Sequence, residues 1–152
     1  MVDNDYQNDM SIDEKVMMAI VRLAERFKKE ASALFKHHGL TFPQYNVLRV
    51  LDASRNGQNT MRDVNRIMLV SGANMTGIAK RLEKAGFITR QNDPDDDRLK
   101  RLQITPKGRQ VLQDIAADKE RNVKRYLASY SEEEKQLLLK TLSSILTHKK
   151  KR

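Results

Sequence analysis

Small and polar side chains share one face of the segment between residues 73 and 84. If this segment is helical, the face can present hydrogen-bonding groups to a partner while its small residues let the backbone come close. Asn74 can bond adenine through two atoms, and Thr76 can bond a base edge or a phosphate. The lysines of this face suit phosphates, and so does a serine at the helix N-terminus. Phosphate contacts fix the position of a protein on DNA and do not read the sequence. The residues that we expect to contact DNA here are Ser71, Ala73, Asn74, Thr76, Gly77, Lys80, Arg81 and Lys84.

A second set of cations surrounds the turn of residues 92–98, which is rich in aspartate and contains a proline. Such a composition predicts a hairpin tip. An arginine at the tip of a β-ribbon can enter the minor groove, and Arg98 has that position. Asp96 can hold the loop and orient Arg98 through a hydrogen bond. Arg90 and Lys100, on the flanking strands, are expected to contact DNA as well.

Each of these features has an alternative interpretation. The polar face can be the solvated side of an ordinary helix, and only the basic hairpin that follows favours DNA. Asp95, Asp96 and Asp97 can be interpreted as a divalent metal site. However, consecutive carboxylates on a turn rarely converge, and no glutamate follows at calcium-loop spacing. We therefore expect no metal and no cofactor.

The elements that position these residues form the pattern of a winged helix-turn-helix. A short helix opens at residues 60–63, and residues 70–73 turn into the second, groove-reading helix. That helix ends at Ala85 and Gly86, and it buries a stripe of apolar residues opposite its polar face. The predicted stripe is Met75, Ile78, Ala79 and Leu82, the predicted strands are 87–90 and 101–105, and residues 56–59 are predicted to be a loop.

Long amphipathic helices flank this unit. Ser11 and Glu14 make a capping box for a helix that ends near Gly39, and Thr41 begins the next helix. Thr105 and Ser131 begin the last two. The predicted fold is mainly α with a small antiparallel β-hairpin wing. The predicted domains are a disordered tail (1–10), a helical dimerisation region (11–40 and 106–152) and a winged helix-turn-helix domain (41–105). The flanking helices are assigned to a dimer interface because they carry more apolar surface than so small a domain can cover. The alternative is one self-contained helical bundle.

Composition agrees with a polyanionic partner. The 152 residues carry a net charge of +9 and no cysteine, which excludes disulfides and thiolate chemistry.

No apolar run approaches the length of a membrane span, and the N-terminus does not resemble a signal peptide, so a soluble cytoplasmic protein is expected. Neither a Ser/His/Asp set nor a Gly-rich phosphate loop is present, so an enzyme is not expected. The main alternative to a sequence-specific regulator is an architectural DNA binder without a preferred site.

The chain resembles the MarR family of transcriptional regulators. The resemblance is carried by LTFPQYNVL at residues 40–48, Met75 and Thr76, RLEKAGFITR at 81–90, the aspartates and Arg98 of the turn, and ITPKG at 104–108. It departs from the family at Gly77, where relatives often carry a larger polar residue, at Asp97, where a second arginine is common, and at Asn65, where a small apolar residue is usual.

The resemblance implies a homodimer with two winged lobes on an inverted-repeat operator, most often as a repressor. It also implies release by a small phenolic or anionic effector bound between the dimerisation and DNA-binding parts. In such a pocket we expect His38, Tyr45 and Arg49. His37 and His38 point in different directions on a helix, so a shared metal is not expected. The operator sequence, the effector and the direction of regulation stay open.

Overall fold

The computed structural model describes residues 9–68 and 72–148, and within those ranges it contains six α-helices, one 3-10 turn (Arg55–Gly57) and three strands. Most of the predicted tail, Ser71 and the basic C-terminal end therefore lie outside the described residues. The helices are α1 (Ile12–Lys36), α2 (Phe42–Ala53), α3 (Met61–Met68), α4 (Gly72–Lys84), α5 (Pro106–Leu127) and α6 (Glu132–Thr147). The strands are β1 (Gln58–Thr60), β2 (Ile88–Asn92) and β3 (Lys100–Ile104). Among the helices described, none combines the length and the hydrophobicity of a membrane span.

The helices begin where the sequence places their caps. Ser11, Thr41 and Ser131 each accept a hydrogen bond from the backbone N–H three residues later, and the side chain at that third position accepts from the cap in return. Thr60 and Thr105 cap α3 and α5 in the same way through their hydroxyls. The predicted starts of these five helices are confirmed.

The sheet has one strand more than the sequence predicted. Its order is β1-β3-β2, and β3 pairs antiparallel with both neighbours. The prediction of a loop through Gln58 and Asn59 was wrong for these two residues, which pair with Gln103 and Leu102. The strand forms because β3 has a second edge whose backbone groups require partners. The observed hairpin strands also lie one or two residues nearer the tip than predicted.

The chain forms two compact units, which divide after Ala116. The core of the first unit lies beneath the sheet and α4, with Leu48, Leu51, Val64 and Leu102 fully buried. It also takes residues from both flanking segments, namely Ala31 and Phe35 of α1 and Val111, Leu112 and Ile115 of α5. The base of the winged lobe therefore includes the end of α1 and the beginning of α5. The second unit contains the rest of α5 and α6.

Candidate nucleic-acid interface

Helix α4 has one buried and one exposed side, as predicted. Met75, Ile78, Ala79 and Leu82 are buried in the core. The predicted contact residues on the opposite side are exposed, except that Gly77 is half-buried; they are Asn74, Thr76, Gly77, Lys80, Arg81 and Lys84. The backbone of Ala73 lies in the same helix. The helix thus presents small polar groups in its first half and cations in its second half.

The end of α4 sets the direction in which the chain enters the wing. Gly86 has φ +82°, a left-handed conformation that L side chains rarely adopt. The N–H of Phe87 donates to the carbonyl oxygen of Leu82 at 3.0 Å, and the N–H of Gly86 donates to that of Glu83 at 2.9 Å. These bonds are those of a Schellman motif. They turn the chain into β2 directly after the helix, as the sequence predicted.

Arg98 and Asp96 form the predicted pair at the wing tip. Asp96 accepts from the backbone N–H of Arg98 at 3.0 Å, from its Nε at 3.0 Å and from its Nη2 at 3.1 Å. The Arg98 side chain is nevertheless 89% exposed, so it remains accessible to a partner. The hydrogen bonds from Arg98 hold the pKa of Asp96 below its ordinary value, and the same carboxylate raises the pKa of Arg98. The hydrogen bonds predicted between Asp96 and Arg98 are therefore present, and a role of Asp96 in orienting Arg98 toward DNA stays a prediction.

Two further carboxylate–arginine pairs secure the wing, and the sequence analysis missed both. The buried Asp93 accepts from the backbone N–H of Asp95 at 2.9 Å and from Arg101 Nη2 at 2.6 Å. These two bonds lower the pKa of Asp93, and the backbone bond from Asp95 has the larger effect. The second pair joins Glu83 to Arg90, with Arg90 Nη2 at 3.0 Å from the glutamate Oε1. The only sequence signal for either pair is opposite charge at separations of seven or eight residues.

The two predicted contact residues on the wing strands already form hydrogen bonds within the protein. Arg90 donates to Glu83 and is half-buried. Lys100 is exposed, and its Nζ donates to Asn92 Oδ1 at 2.5 Å across the hairpin. A role for Arg90 or Lys100 in contacting DNA stays a prediction.

Asn65 of α3 carries a buried oxygen, Oδ1, that accepts no hydrogen bond among the described residues. An unsatisfied buried oxygen is unfavourable for stability.

A cleft of about 970 Å³ lies between the C-terminal half of α1, α2 and the end of α3. Its apolar lining comes from Leu40, Phe42, Pro43, Val50, Ile67 and Met68. The cationic groups that line it are Lys28, Lys36 and Arg49. Such a combination suits a small molecule with an apolar body and an anionic group, and the volume is in the range of ligand sites.

The predicted ligand group does not assemble in this cleft, because only Arg49 of the three residues lines it. Tyr45 stacks on Phe35 with ring centroids 3.9 Å apart and an interplanar angle of 15°, so its ring belongs to the core. Burial raises the pKa of the Tyr45 hydroxyl, against a smaller lowering by the charge of Arg49. His38 is half-buried and is not part of the cleft lining. His38 and Tyr45 therefore do not line this cleft, and their place in an effector pocket stays a prediction.

Large apolar side chains remain exposed on the helices outside the winged lobe. On α1 they are Ile12, Val16, Met17, Met18, Val21 and Leu23. In the second unit they are Val123, Tyr130, Leu137, Leu138, Leu139, Ile145 and Leu146. Exposed apolar surface of this extent is typical of an association surface. Within residues 9–68 and 72–148, no three histidine, aspartate or glutamate side chains are grouped as a metal site.

Comparison with known proteins agrees with this geometry. A model described as MarR family matches residues 38–99. The chain is 36% identical over 99 residues to the HTH-type transcriptional regulator TtmR of Methylorubrum extorquens (strain PA1), covering 65% of this chain and 50% of TtmR. It is 31% identical over 113 residues to the uncharacterized HTH-type transcriptional regulator YkoM of Bacillus subtilis (strain 168), covering 74% of this chain and 72% of YkoM. The chain spans about half the length of the first curated relatives that it matches.

Solved structures share the fold. Sco3205, a MarR family transcriptional regulator from Streptomyces coelicolor solved in complex with DNA, matches with a TM-score of 0.81 and 21% identity, over 94% of this chain and 91% of Sco3205. CouR from Rhodococcus jostii RHA1, solved bound to p-coumaroyl-CoA, matches with a TM-score of 0.80 and 22% identity, over 95% of this chain and all of CouR (100%). Fold and site together define a winged helix-turn-helix protein. The chain belongs to the MarR family.

Proposed function

We propose that the chain is a sequence-specific DNA-binding transcription regulator, and that it represses by occupying an inverted-repeat operator as a homodimer in the cytoplasm. The observation that carries the proposal is the combination of an exposed small and polar face on α4 with an exposed arginine at the tip of an adjoining wing. This combination matches the two grooves of one DNA half-site. The proposed domains follow the sequence analysis, with residues 11–40 and 106–152 forming the dimer and residues 41–105 reading DNA.

In the proposed mechanism, α4 enters the major groove with Asn74 and Thr76 toward the bases. Lys80, Arg81 and Lys84 neutralise phosphates along the groove edge. Ala73 and Gly77 allow the backbone to come close at the N-terminal half of the helix, and Arg98 enters the minor groove beside it. Ser71 is expected to bond a phosphate oxygen, as the sequence predicts. The protein supplies no bond-making chemistry in this mechanism; it acts by excluding other proteins from the operator.

The dimer is supported by the exposed apolar side chains of α1 and of the second unit. A buried interface is the most economical use of such surfaces, and readers of the major groove usually bind as dimers on half-sites one helical turn apart, about 34 Å. A protein that stays dimeric on dilution well below micromolar supports this part of the proposal. A stable monomer overturns it.

The cleft beside α1 and α2 supports an effector with an apolar body and one anionic group. Occupation of a cleft between these helices changes DNA affinity if the effector binds better to the DNA-free arrangement. Titration with 4-hydroxybenzoate, with 4-hydroxybenzyl alcohol as the uncharged control, tests this charge requirement. Binding of the carboxylate that is weakened by Arg49→Gln supports the site, and equal binding of both compounds overturns it.

Selection of sites from random duplex DNA tests the proposal as a whole. The purified protein is expected to enrich an inverted repeat with half-site centres about ten base pairs apart. Titration of the enriched site and of an unrelated duplex at two salt concentrations then measures specificity. If no site is enriched and binding simply collapses as salt rises, the second candidate, an architectural DNA binder without a preferred site, replaces the first.

A further inference from the structure

The side chain of Glu83 joins the recognition helix to the wing. Glu83 is the penultimate residue of α4, and its carboxylate lies against Arg90 of β2. Its Oε2 accepts from the backbone N–H of Arg90 at 3.2 Å. Its Oε1 accepts from Arg90 Nε at 3.1 Å and from Nη2 at 3.0 Å. One carboxylate therefore holds both the backbone and the side chain of the strand.

This contact is a second connection between two elements that the chain already joins through a tight turn. The turn is fixed by Gly86 at φ +82°, with only three residues between α4 and β2. Two connections at different points restrict rotation of the strand about the helix end, which one turn alone permits. Because Arg90 pairs with Leu102 across the hairpin, the restraint reaches both strands and hence the tip that carries Arg98.

The same geometry bears on Arg90. Its guanidinium was expected to contact DNA, but two of its N–H groups point to a carboxylate of the same protein, and its side chain is 25% exposed. Both N–H groups of the guanidinium meet the same oxygen, Oε1, while the backbone N–H meets Oε2, and three charge-assisted bonds to one carboxylate fix orientation as well as distance. Arg90 is thus suited to transmit position from the helix to the wing.

We propose that Glu83 is a positioning residue for DNA recognition, which acts through Arg90 to set the angle between the recognition helix and the wing. With α4 in the major groove, this angle determines whether Arg98 meets the neighbouring minor groove. The inference rests on the proposed function. It makes a prediction opposite to simple electrostatics, because removal of a negative charge near DNA otherwise strengthens binding.

The test compares Glu83→Ala with Asp97→Asn, a control that removes one negative charge from an exposed position of the wing tip. Affinity for the enriched operator is measured for both variants, for Arg98→Ala, and for Glu83→Ala combined with Arg98→Ala. Glu83→Gln, which keeps an oxygen acceptor for the Arg90 backbone, is measured as the conservative variant. Thermal unfolding of each protein establishes that it is folded at the assay temperature.

We expect Glu83→Ala to lower operator affinity by about threefold or more, Glu83→Gln to lie between it and the parent protein, and Asp97→Asn to bind as well as the parent or better. Because residues that act together are not additive, Arg98→Ala is expected to cost less affinity when Glu83 is already alanine. Tighter binding by Glu83→Ala, or an undiminished cost of Arg98→Ala in its background, overturns the inference. Absence of specific binding by the parent protein overturns the proposed function instead.

Discussion

Replacing Gly77 by alanine separates the stability of the recognition helix from its contact with DNA. Gly77 lies in the middle of α4, and a Cβ added there meets nothing of the protein nearer than Arg81 Nη1 at 3.7 Å. That distance is ordinary van der Waals contact, so the methyl group fits. Alanine is favoured over glycine in a helix interior by about 1 kcal/mol. We therefore expect Gly77→Ala to raise the free energy of unfolding by up to about 1 kcal/mol.

The same methyl group is expected to weaken DNA binding. Gly77 stands between Asn74 and Lys80 on the face that we place against the bases. If the backbone comes close there, one added methyl group pushes the helix outward, and overpacking of this kind costs about 1–3 kcal/mol, or roughly fivefold to more than a hundredfold in affinity. A variant that is more stable and yet binds DNA less well has lost a contact with DNA and not its fold.

Gly108→Ala is the matched control, in which the added methyl group is expected to destabilise the fold. A Cβ at Gly108 overlaps the carbonyl oxygen of Phe87 and comes within 2.7 Å of Ile104 Cγ1. The Phe87 oxygen is held by the N–H of Thr105 at 3.0 Å, so it has little freedom to move. We expect a loss of about 1–3 kcal/mol in unfolding free energy. Affinity per folded molecule is expected to fall less than in Gly77→Ala, since Gly108 is buried and the proposed contact face lies on α4.

Urea titrations give both stabilities, and titrations of the enriched operator give both affinities. The reasoning about packing is refuted if Gly77→Ala is destabilised to the extent of Gly108→Ala. The reasoning about the DNA interface is refuted if Gly77→Ala keeps the full operator affinity, because the backbone of α4 then does not approach the bases at this point.

Three more predictions follow from the wing and the core. Arg98→Ala is expected to weaken binding mainly at sites with A·T-rich flanks, and an equal loss on G·C-flanked sites in the same titration contradicts a minor-groove role. Glu83, Asp93 and Asp96 have pKa values below their ordinary values of 4.5, 3.8 and 3.8, because arginines and N–H groups bond their charged forms. Their stabilisation is thus present above those ordinary values and is lost as pH falls through the lowered ones. Urea midpoints measured between pH 7 and pH 2 are expected to fall as this stabilisation is lost, and they are expected to depend less on pH in Asp93→Asn. Identical curves for Asp93→Asn and the parent protein contradict a stabilising role of the Asp93 carboxylate. Leu102→Ala, at a fully buried position of β3, is expected to lower the unfolding free energy by about 2–5 kcal/mol, and a loss below 1 kcal/mol by the same titration contradicts the central place of β3 in the core.

Features set by near neighbours were predictable from the sequence. The caps at Ser11, Thr41 and Ser131 depend on residues three positions away, and the apolar stripe of α4 depends on helical spacing alone. The pair formed by Asp96 and Arg98 was also predictable, because a turn places residues two apart within reach of each other.

Features set by distant partners were not predictable. Strand β1 consists of three polar residues without alternation, and it exists because β3, some forty residues later, offers an edge. Tyr45 was expected in a ligand pocket, but its position against Phe35 depends on how α1 crosses α2. The bond from Arg90 to Glu83 requires that the turn at Gly86 place β2 beside the end of α4, and opposite charges in a sequence do not specify that geometry.

The most direct measurement is a dimethyl sulfate footprint of the protein on its enriched operator. This reagent methylates guanine N7 in the major groove and adenine N3 in the minor groove, so one experiment reports on both grooves. We expect protection of guanines in each half-site and of adenines in the flanks, with Arg98→Ala losing only the adenine protection. A specific complex that leaves guanine N7 reactive in both half-sites would contradict the placement of α4 in the major groove.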